Sequence, residues 1–177
     1  MTSDGNAREW SGASVALHWL SAVLIAGLVT AGFVLSDLPA DSDTRLLMSR
    51  MHTLGGLTLM LLTVARLAFR LRGPAPAPLP LSDLHRRGVG LVHALLYGVL
   101  FAIGASGMVT GATSAWPEYL RGELSQAPAL EALASREAHE VLVFALLGLI
   151  LLHVGGVMVQ QLRQGRVLRR MAPFLDV

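Results

Sequence analysis

Four long runs of apolar residues, none of which contains a charged side chain, alternate with short polar connections. They are Trp10–Ser36, Met51–Ala65, Gly88–Pro117 and Val141–Leu162. Three of them exceed the ~20 residues that a helix needs to cross a bilayer, and the second reaches that length only if Arg66 lies within the helix or at its edge. Because a chain in lipid must satisfy its own backbone hydrogen bonds, we predict four transmembrane helices, at about 14–35, 49–70, 88–114 and 138–162.

The composition supports an integral membrane protein. Of the 177 residues, 53% are hydrophobic and only 15% are charged, which is unusual for a soluble globular protein. The four spans use most of the chain, so we predict an all-α fold, an integral membrane four-helix bundle that forms a single domain over residues 1–177. The first apolar run contains His18 and Trp19 and follows a weakly charged tail, which favours a retained helix over a cleaved signal peptide.

The basic residues are all arginine, and their distribution predicts the topology. Arginines are concentrated in the Pro-rich middle connection and in the C-terminal tail, whereas acids outnumber them in the other two connections. By the positive-inside rule, both termini and the middle connection are cytoplasmic, as in a multi-pass protein of the bacterial inner membrane. This distribution assigns the arginines to membrane topology and not to nucleic-acid binding. The sequence carries no signal for an oligomeric state.

Histidines provide the candidate chemistry, because the absence of cysteine excludes Fe–S clusters and covalent c-type haem. His139 and His153 lie fourteen residues apart, on roughly one helix face and about 21 Å apart along the axis. The topology arranges five histidines at two depths, and His85 falls in the middle loop without a special role. The outer level holds His52 and His139, and the inner level holds His18, His93 and His153.

Two opposed imidazoles without cysteine are typical of bis-histidine ligation of haem b. A zinc site would need three or four clustered ligands, which two levels do not offer. Arg66 follows His52 by fourteen residues and therefore falls on the same face at the inner level. There it would pair with a haem propionate or a quinone oxygen, or else extend to the cytoplasmic headgroups. Glycines along these helices would admit a flat porphyrin, although small residues also pack membrane helices together.

Short motifs along the chain resemble the bacterial four-helix cytochrome b561 proteins. The matching pieces, in chain order, are Leu17–Leu20, His52, Arg66–Leu71, His93–Tyr97, His139–Glu140, His153 and Leu168–Pro173. The resemblance covers nearly the whole chain, and the order and spacing of the pieces make it specific.

This resemblance implies two non-covalent b haems, one near each membrane face. Carried over from related di-haem membrane subunits of formate dehydrogenases, it pairs His52 with His139 at the outer haem and His18 with His153 at the inner haem. Quinone candidates are His93, Arg66 and Arg70. The exchanged assignment, with His93 as the inner ligand and His18 near the quinone, stays open.

The family includes a superoxide oxidase, so the resemblance implies transfer of electrons from periplasmic superoxide through the haems to ubiquinone. Four arginines in the outer connections would attract the superoxide anion to the outer haem: Arg45, Arg50, Arg121 and Arg136. Acids nevertheless outnumber arginines in both of these connections. One alternative is a haem b subunit that passes electrons between another redox protein and the quinone pool. Another is a non-redox helical bundle in the lipid whose histidines conduct protons or bind a metal.

Overall fold

The computed structural model describes residues 10–73, 81–165 and 167–172. Over these ranges the protein is almost entirely helical and contains no strand, which confirms the predicted all-α fold. The elements are α1 (Gly12–Asp37), α2 (Asp43–Arg72), α3 (Asp83–Ala112), α4 (Trp116–Arg121), α5 (Ala134–Gln164) and a 3₁₀ turn (Leu168–Arg170). The Pro-rich connector at 74–80 lies outside the described residues.

Four of these helices, α1, α2, α3 and α5, are long and apolar enough to cross a membrane, as the prediction of four spans required. They extend beyond the predicted segments at most ends, although α3 stops at Ala112. Arg66 lies inside α2. Few side chains of each span are buried inside the bundle, and the others are partly or fully exposed on its surface, which suits contact with lipid.

His85 is not in the middle loop, as the sequence analysis expected, but in the first turn of α3. The helix starts earlier because the Ser82 hydroxyl accepts a hydrogen bond from the His85 amide and caps the N-terminus. The His85 imidazole Nε2 lies 3.2 Å from Nε2 of Gln160 on α5. This contact adds a polar link between α3 and α5 at the inner end of the bundle.

The closest-packed helix pairs are α3 with α5 and α1 with α2, and α2 also contacts α3. The shared core is small and centres on Leu59, Leu100 and Leu146. Buried Ser21, Thr63 and Thr110 donate to carbonyls of their own helices, which satisfies these hydroxyls inside the bundle. The five candidate histidines therefore sit on helices that share only a small buried apolar core.

The short helix α4 is fixed to the outer end of α2. Arg50 Nε donates to the Leu120 carbonyl at 2.7 Å, and Trp116 Nε1 donates to the Thr53 hydroxyl at 3.1 Å. At the opposite end, Trp19 Nε1 donates to the Met171 carbonyl at 2.6 Å. At one end of the bundle the connection after α3 is thus bonded to α2, and at the other end the segment after α5 is bonded to α1.

Candidate functional site

The outer site is a pair of facing imidazoles from two different helices. His52 on α2 and His139 on α5 have ring centres 6.4 Å apart, with an angle of 62° between the ring planes. His139 Nδ1 lies 3.1 Å from both the Ile103 carbonyl and the Ser106 hydroxyl of α3. A carbonyl only accepts, so Nδ1 carries the proton and donates it. The Nε2 lone pair of His139 is therefore available to a metal.

Two glycines allow neighbouring backbones to lie against these rings. A Cβ added at Gly32 of α1 would lie 3.5 Å from His52 Cε1, and one added at Gly107 of α3 would lie 3.5 Å from the His139 ring. His52 faces the backbone of Leu28 on α1, which is its hydrogen-bond partner. Each outer imidazole therefore has a backbone partner on a neighbouring helix, Leu28 for His52 and Ile103 for His139.

The inner site brings three histidines together, as the sequence analysis predicted for this depth. His18 of α1 and His153 of α5 have ring centres 6.4 Å apart at 61°. His93 of α3 also contacts His153, with 5.2 Å between ring centres and 76° between the planes. His93 Nδ1 donates to the Val89 carbonyl at 2.8 Å. Both inner candidates thus reach His153, but at different separations.

Arg66 lies between two of the helices that form the inner site. Its Nη2 donates to His18 Nδ1 at 2.9 Å, and its Cζ lies 5.7 Å from the centre of the Tyr97 ring. Because a guanidinium has no acceptor, His18 Nδ1 must accept, and the ring proton of neutral His18 is then on Nε2. Arg70 is exposed near the end of α2.

The histidines form opposed pairs and not a compact ligand cluster. Among the described residues, no group of three or more His, Cys, Asp or Glu side chains is arranged to hold a metal ion. Metal–imidazole bonds are about 2 Å long, so two imidazoles on opposite sides of one metal have ring centres about 6 Å apart. The separations of 6.4 Å in the His52–His139 and His18–His153 pairs fit this arrangement.

Comparison with known proteins identifies the family of the chain. The prokaryotic cytochrome b561 family matches residues 9–174. The chain belongs to this family. Cytochrome b561 homolog 2 of Escherichia coli (strain K12) is 33% identical over 105 residues, which cover 59% of this chain and 56% of the relative. The chain thus spans little more than half the length of that relative. No solved structure matches this chain significantly.

Prokaryotic cytochromes b561 are haem b membrane proteins, and the four candidate spans of this chain fit a multi-pass protein of the bacterial inner membrane. The described residues fit such a group, because Gly32 beside His52 and Gly107 beside His139 present no side chain to the two rings. Haem b needs no cysteine, and the chain has none. The histidine pairs would hold the iron, and the haem supplies one-electron chemistry when bound.

The four outer arginines of this cytochrome b561 are all engaged in contacts within the fold. Arg45 donates to the Leu38 carbonyl and Arg50 to the Leu120 carbonyl. The other two form ion pairs, Arg121 with Glu118 and Glu123, and Arg136 with Glu140. The Arg121 guanidinium beside Glu123 lowers the pKa of that carboxyl, which favours its ionised form. Neighbouring acids therefore compensate the charge of Arg121 and Arg136, whereas Arg45 and Arg50 are held by neutral carbonyls and keep their charge uncompensated there.

Sequence reasoning did not identify Ser106 and Tyr97 as site residues. Ser106 lies behind His139, and Tyr97 lies beside Arg66. The only available signal for Ser106 was a hydroxyl in an apolar run, which is common where membrane helices pack. Tyr97 belongs to the His93–Tyr97 motif, four residues after His93 and so on the same helix face, but nothing in the sequence linked it to Arg66 on α2.

Proposed function

We propose that the protein carries electrons across the membrane through two b haems, an outer one between His52 and His139 and an inner one between His18 and His153. The observation that carries the proposal is the agreement of the two pairs. Each has ring centres 6.4 Å apart, and the ring planes meet at 62° and 61°. Two unrelated histidine contacts would have no reason to share this geometry. The levels are about 21 Å apart along α5, which suits a chain of two redox centres.

His18 is proposed as the inner ligand because its separation from His153 repeats that of the outer pair, whereas His93 lies closer, at 5.2 Å. Iron bound through Nε2 of neutral His18 would leave the ring proton on Nδ1, which then no longer accepts from Arg66. Arg66 would be released from His18 and become available to an anionic oxygen, such as a haem propionate or a reduced quinone. His93, Arg66 and Arg70 are the proposed quinone-side residues.

For the reaction, we propose oxidation of superoxide at the outer face and reduction of ubiquinone at the inner level. Two superoxide anions each give up one electron and leave as dioxygen, and ubiquinone takes up two electrons and two protons to become ubiquinol. The choice of these substrates rests on the family resemblance of the sequence. Both termini and the inner level would face the cytoplasm, according to the distribution of arginines.

A second candidate keeps both haems and replaces superoxide by a redox protein as the electron donor. The observation that favours it is the pairing of Arg121 and Arg136 with acids, since compensated cations attract a small anion weakly. A protein donor could dock on mixed charges of both signs, whereas superoxide gains only from a positive field.

The deciding experiment is stopped-flow reduction of the purified, haem-loaded protein by superoxide, with ubiquinone as the acceptor. Superoxide oxidation predicts rapid haem reduction, followed by reoxidation only when quinone is present. The matched control is His139→Ala, which lacks one proposed outer ligand and should lose the fast phase. Reduction of the wild type no faster than that of an unrelated bis-histidine haem protein would exclude superoxide as the substrate and favour a protein donor.

A further inference from the structure

Ser106 links α3 to His139 in the outer pair. Its Oγ lies 3.1 Å from His139 Nδ1 and donates its own proton to the Ile103 carbonyl at 2.8 Å. One turn further out, Thr110 Oγ1 donates to the Ser135 hydroxyl of α5 at 2.8 Å. The Thr110–Ser135 bond ties the same two helices four residues from each member of the Ser106–His139 contact. The imidazole and the hydroxyl are therefore aligned by two adjacent bonds between α3 and α5.

Two oxygen atoms lie within hydrogen-bond distance of His139 Nδ1, and Ser106 Oγ has more unused lone pairs than the Ile103 carbonyl. The Ile103 carbonyl has two lone pairs, and it lies inside α3, where a regular helix engages one of them with the amide four residues on. The Ser106 hydroxyl donates a hydrogen bond to the second lone pair of this carbonyl. Ser106 Oγ donates one proton and keeps its own lone pairs for the imidazole. The Ser106 hydroxyl therefore accepts a hydrogen bond from His139 Nδ1 and at the same time donates one to the Ile103 carbonyl.

The opposite imidazole is held differently, because its hydrogen-bond partner is the backbone of Leu28 on α1. The Ser106 hydroxyl therefore acts on one ring of the outer pair, that of His139. A metal-bound histidine that donates its second N–H to an acceptor is fixed in tautomer and orientation and is a more basic ligand. A more basic ligand stabilises ferric over ferrous iron and so lowers the reduction potential.

We propose that Ser106 is a positioning residue of the outer haem, which holds His139 with Nε2 directed to the iron and lowers the potential of that iron. This inference rests on the proposed His52–His139 ligand pair. It adds a residue that does not touch the iron but sets both the retention and the potential of one haem.

The test compares two nearly isosteric substitutions, Ser106→Val and Ser106→Thr, which differ in a methyl against a hydroxyl. Haem content and both midpoint potentials are measured by optical redox titration of the purified protein, and the outer haem is assigned by its loss in His139→Ala. Ser106→Val should raise the midpoint potential of the outer haem and lower the affinity of the protein for that haem by about 10- to 100-fold. The midpoint potential of the inner haem should not change. Ser106→Thr should keep both values. Thr113→Val is the control, because Thr113 bonds only to its own helix.

Ser106→Ala removes the hydroxyl without added bulk and covers the case in which Ser106→Val does not fold. It should shift the outer potential in the same direction. Two retained haems with unchanged potentials in both hydroxyl-free variants would overturn the role of Ser106 while leaving the proposed ligands intact. Equal shifts in the Val and Thr variants would overturn it as well. Absence of an outer haem from the wild type would instead overturn the proposed ligand pair, and the Ser106 proposal with it.

Discussion

His52 and His139 face each other across the outer end of the bundle with 6.4 Å between their ring centres. One helix, α5, supplies an imidazole to this pair and, fourteen residues later, another to the inner site at His153. The facing members of the two 6.4 Å pairs come from α2 and α1, so each pair joins α5 to the opposite helix pair, and His93 of α3 is the third histidine of the inner site. The spacing within α5 therefore sets the distance between the two levels, about 21 Å.

Gly107 should tolerate only a small side chain. A Cβ there would lie 3.5 Å from the His139 ring, an ordinary contact, so we expect Gly107→Ala to retain the outer haem. Gly107→Leu would push the ring away and should reduce outer-haem content several-fold. Haem-to-protein ratios of the purified variants measure this. Gly98→Leu on the same helix, where a Cβ meets nothing within 4 Å, is the control, and equal haem loss in both leucine variants would contradict the account.

At the inner level, His18→Ala should remove one haem, whereas His93→Ala should retain both and slow electron transfer to ubiquinone. The reason is the separation from His153, which is 6.4 Å for His18 and 5.2 Å for His93. Reduced-minus-oxidised spectra of each variant provide the measurement. Loss of the inner haem in His93→Ala, with His18→Ala unaffected, would establish the exchanged assignment.

Arg66→Gln should lower the midpoint potential of the inner haem. Arg66 lies at the inner level beside His18, and after its release from Nδ1 it remains a cation near the proposed haem, where it disfavours ferric iron, which carries one positive charge more than ferrous iron. Redox titration of the variant gives the shift. Arg72→Gln, at the exposed end of α2, should leave the potential near that of the wild type. An unchanged or raised inner potential in Arg66→Gln would exclude this electrostatic role.

Removal of outer acids should accelerate reduction by superoxide. Glu118 and Glu123 both pair with Arg121, and because Arg121 lowers the pKa of Glu123, that carboxylate stays charged as the pH falls from neutral towards its ordinary pKa. The double variant Glu118→Gln/Glu123→Gln frees the guanidinium. Its second-order rate constant with superoxide should rise several-fold at low salt and fall with ionic strength. Glu131→Gln serves as control, and a rate independent of both substitutions would argue against anionic approach on this side.

The fold was largely predictable because lipid allows few alternatives. An uncharged run of about 20 residues must form a helix, and the positions of His52, His139 and His153 along those helices fix their depths. Depth alone predicted which histidines lie near one another at each level, and the ring contacts of the structure agree with that grouping, whereas their role as haem ligands stays a prediction. The helix ends were less predictable, since Ser82 extends α3 far enough to include His85.

Contacts between helices could not be predicted from one sequence. Ser106 reaches His139 only because α3 packs closely on α5 with a particular rotation, and helix periodicity alone does not give that rotation. The short helix α4 was also missed. It begins with Trp116 and Pro117 in a connection without a clear apolar repeat, and it is held in place by Arg50 and Thr53 of α2.

The most direct test of the central claim is the haem b content of the purified wild-type protein, determined with the pyridine haemochrome assay beside His139→Ala and His153→Ala. The account predicts two haems per chain in the wild type and one in each variant. The remaining haem should differ between the two variants in midpoint potential. A single haem in the wild type, or loss of the same haem in both variants, would contradict two centres held at opposite ends of α5.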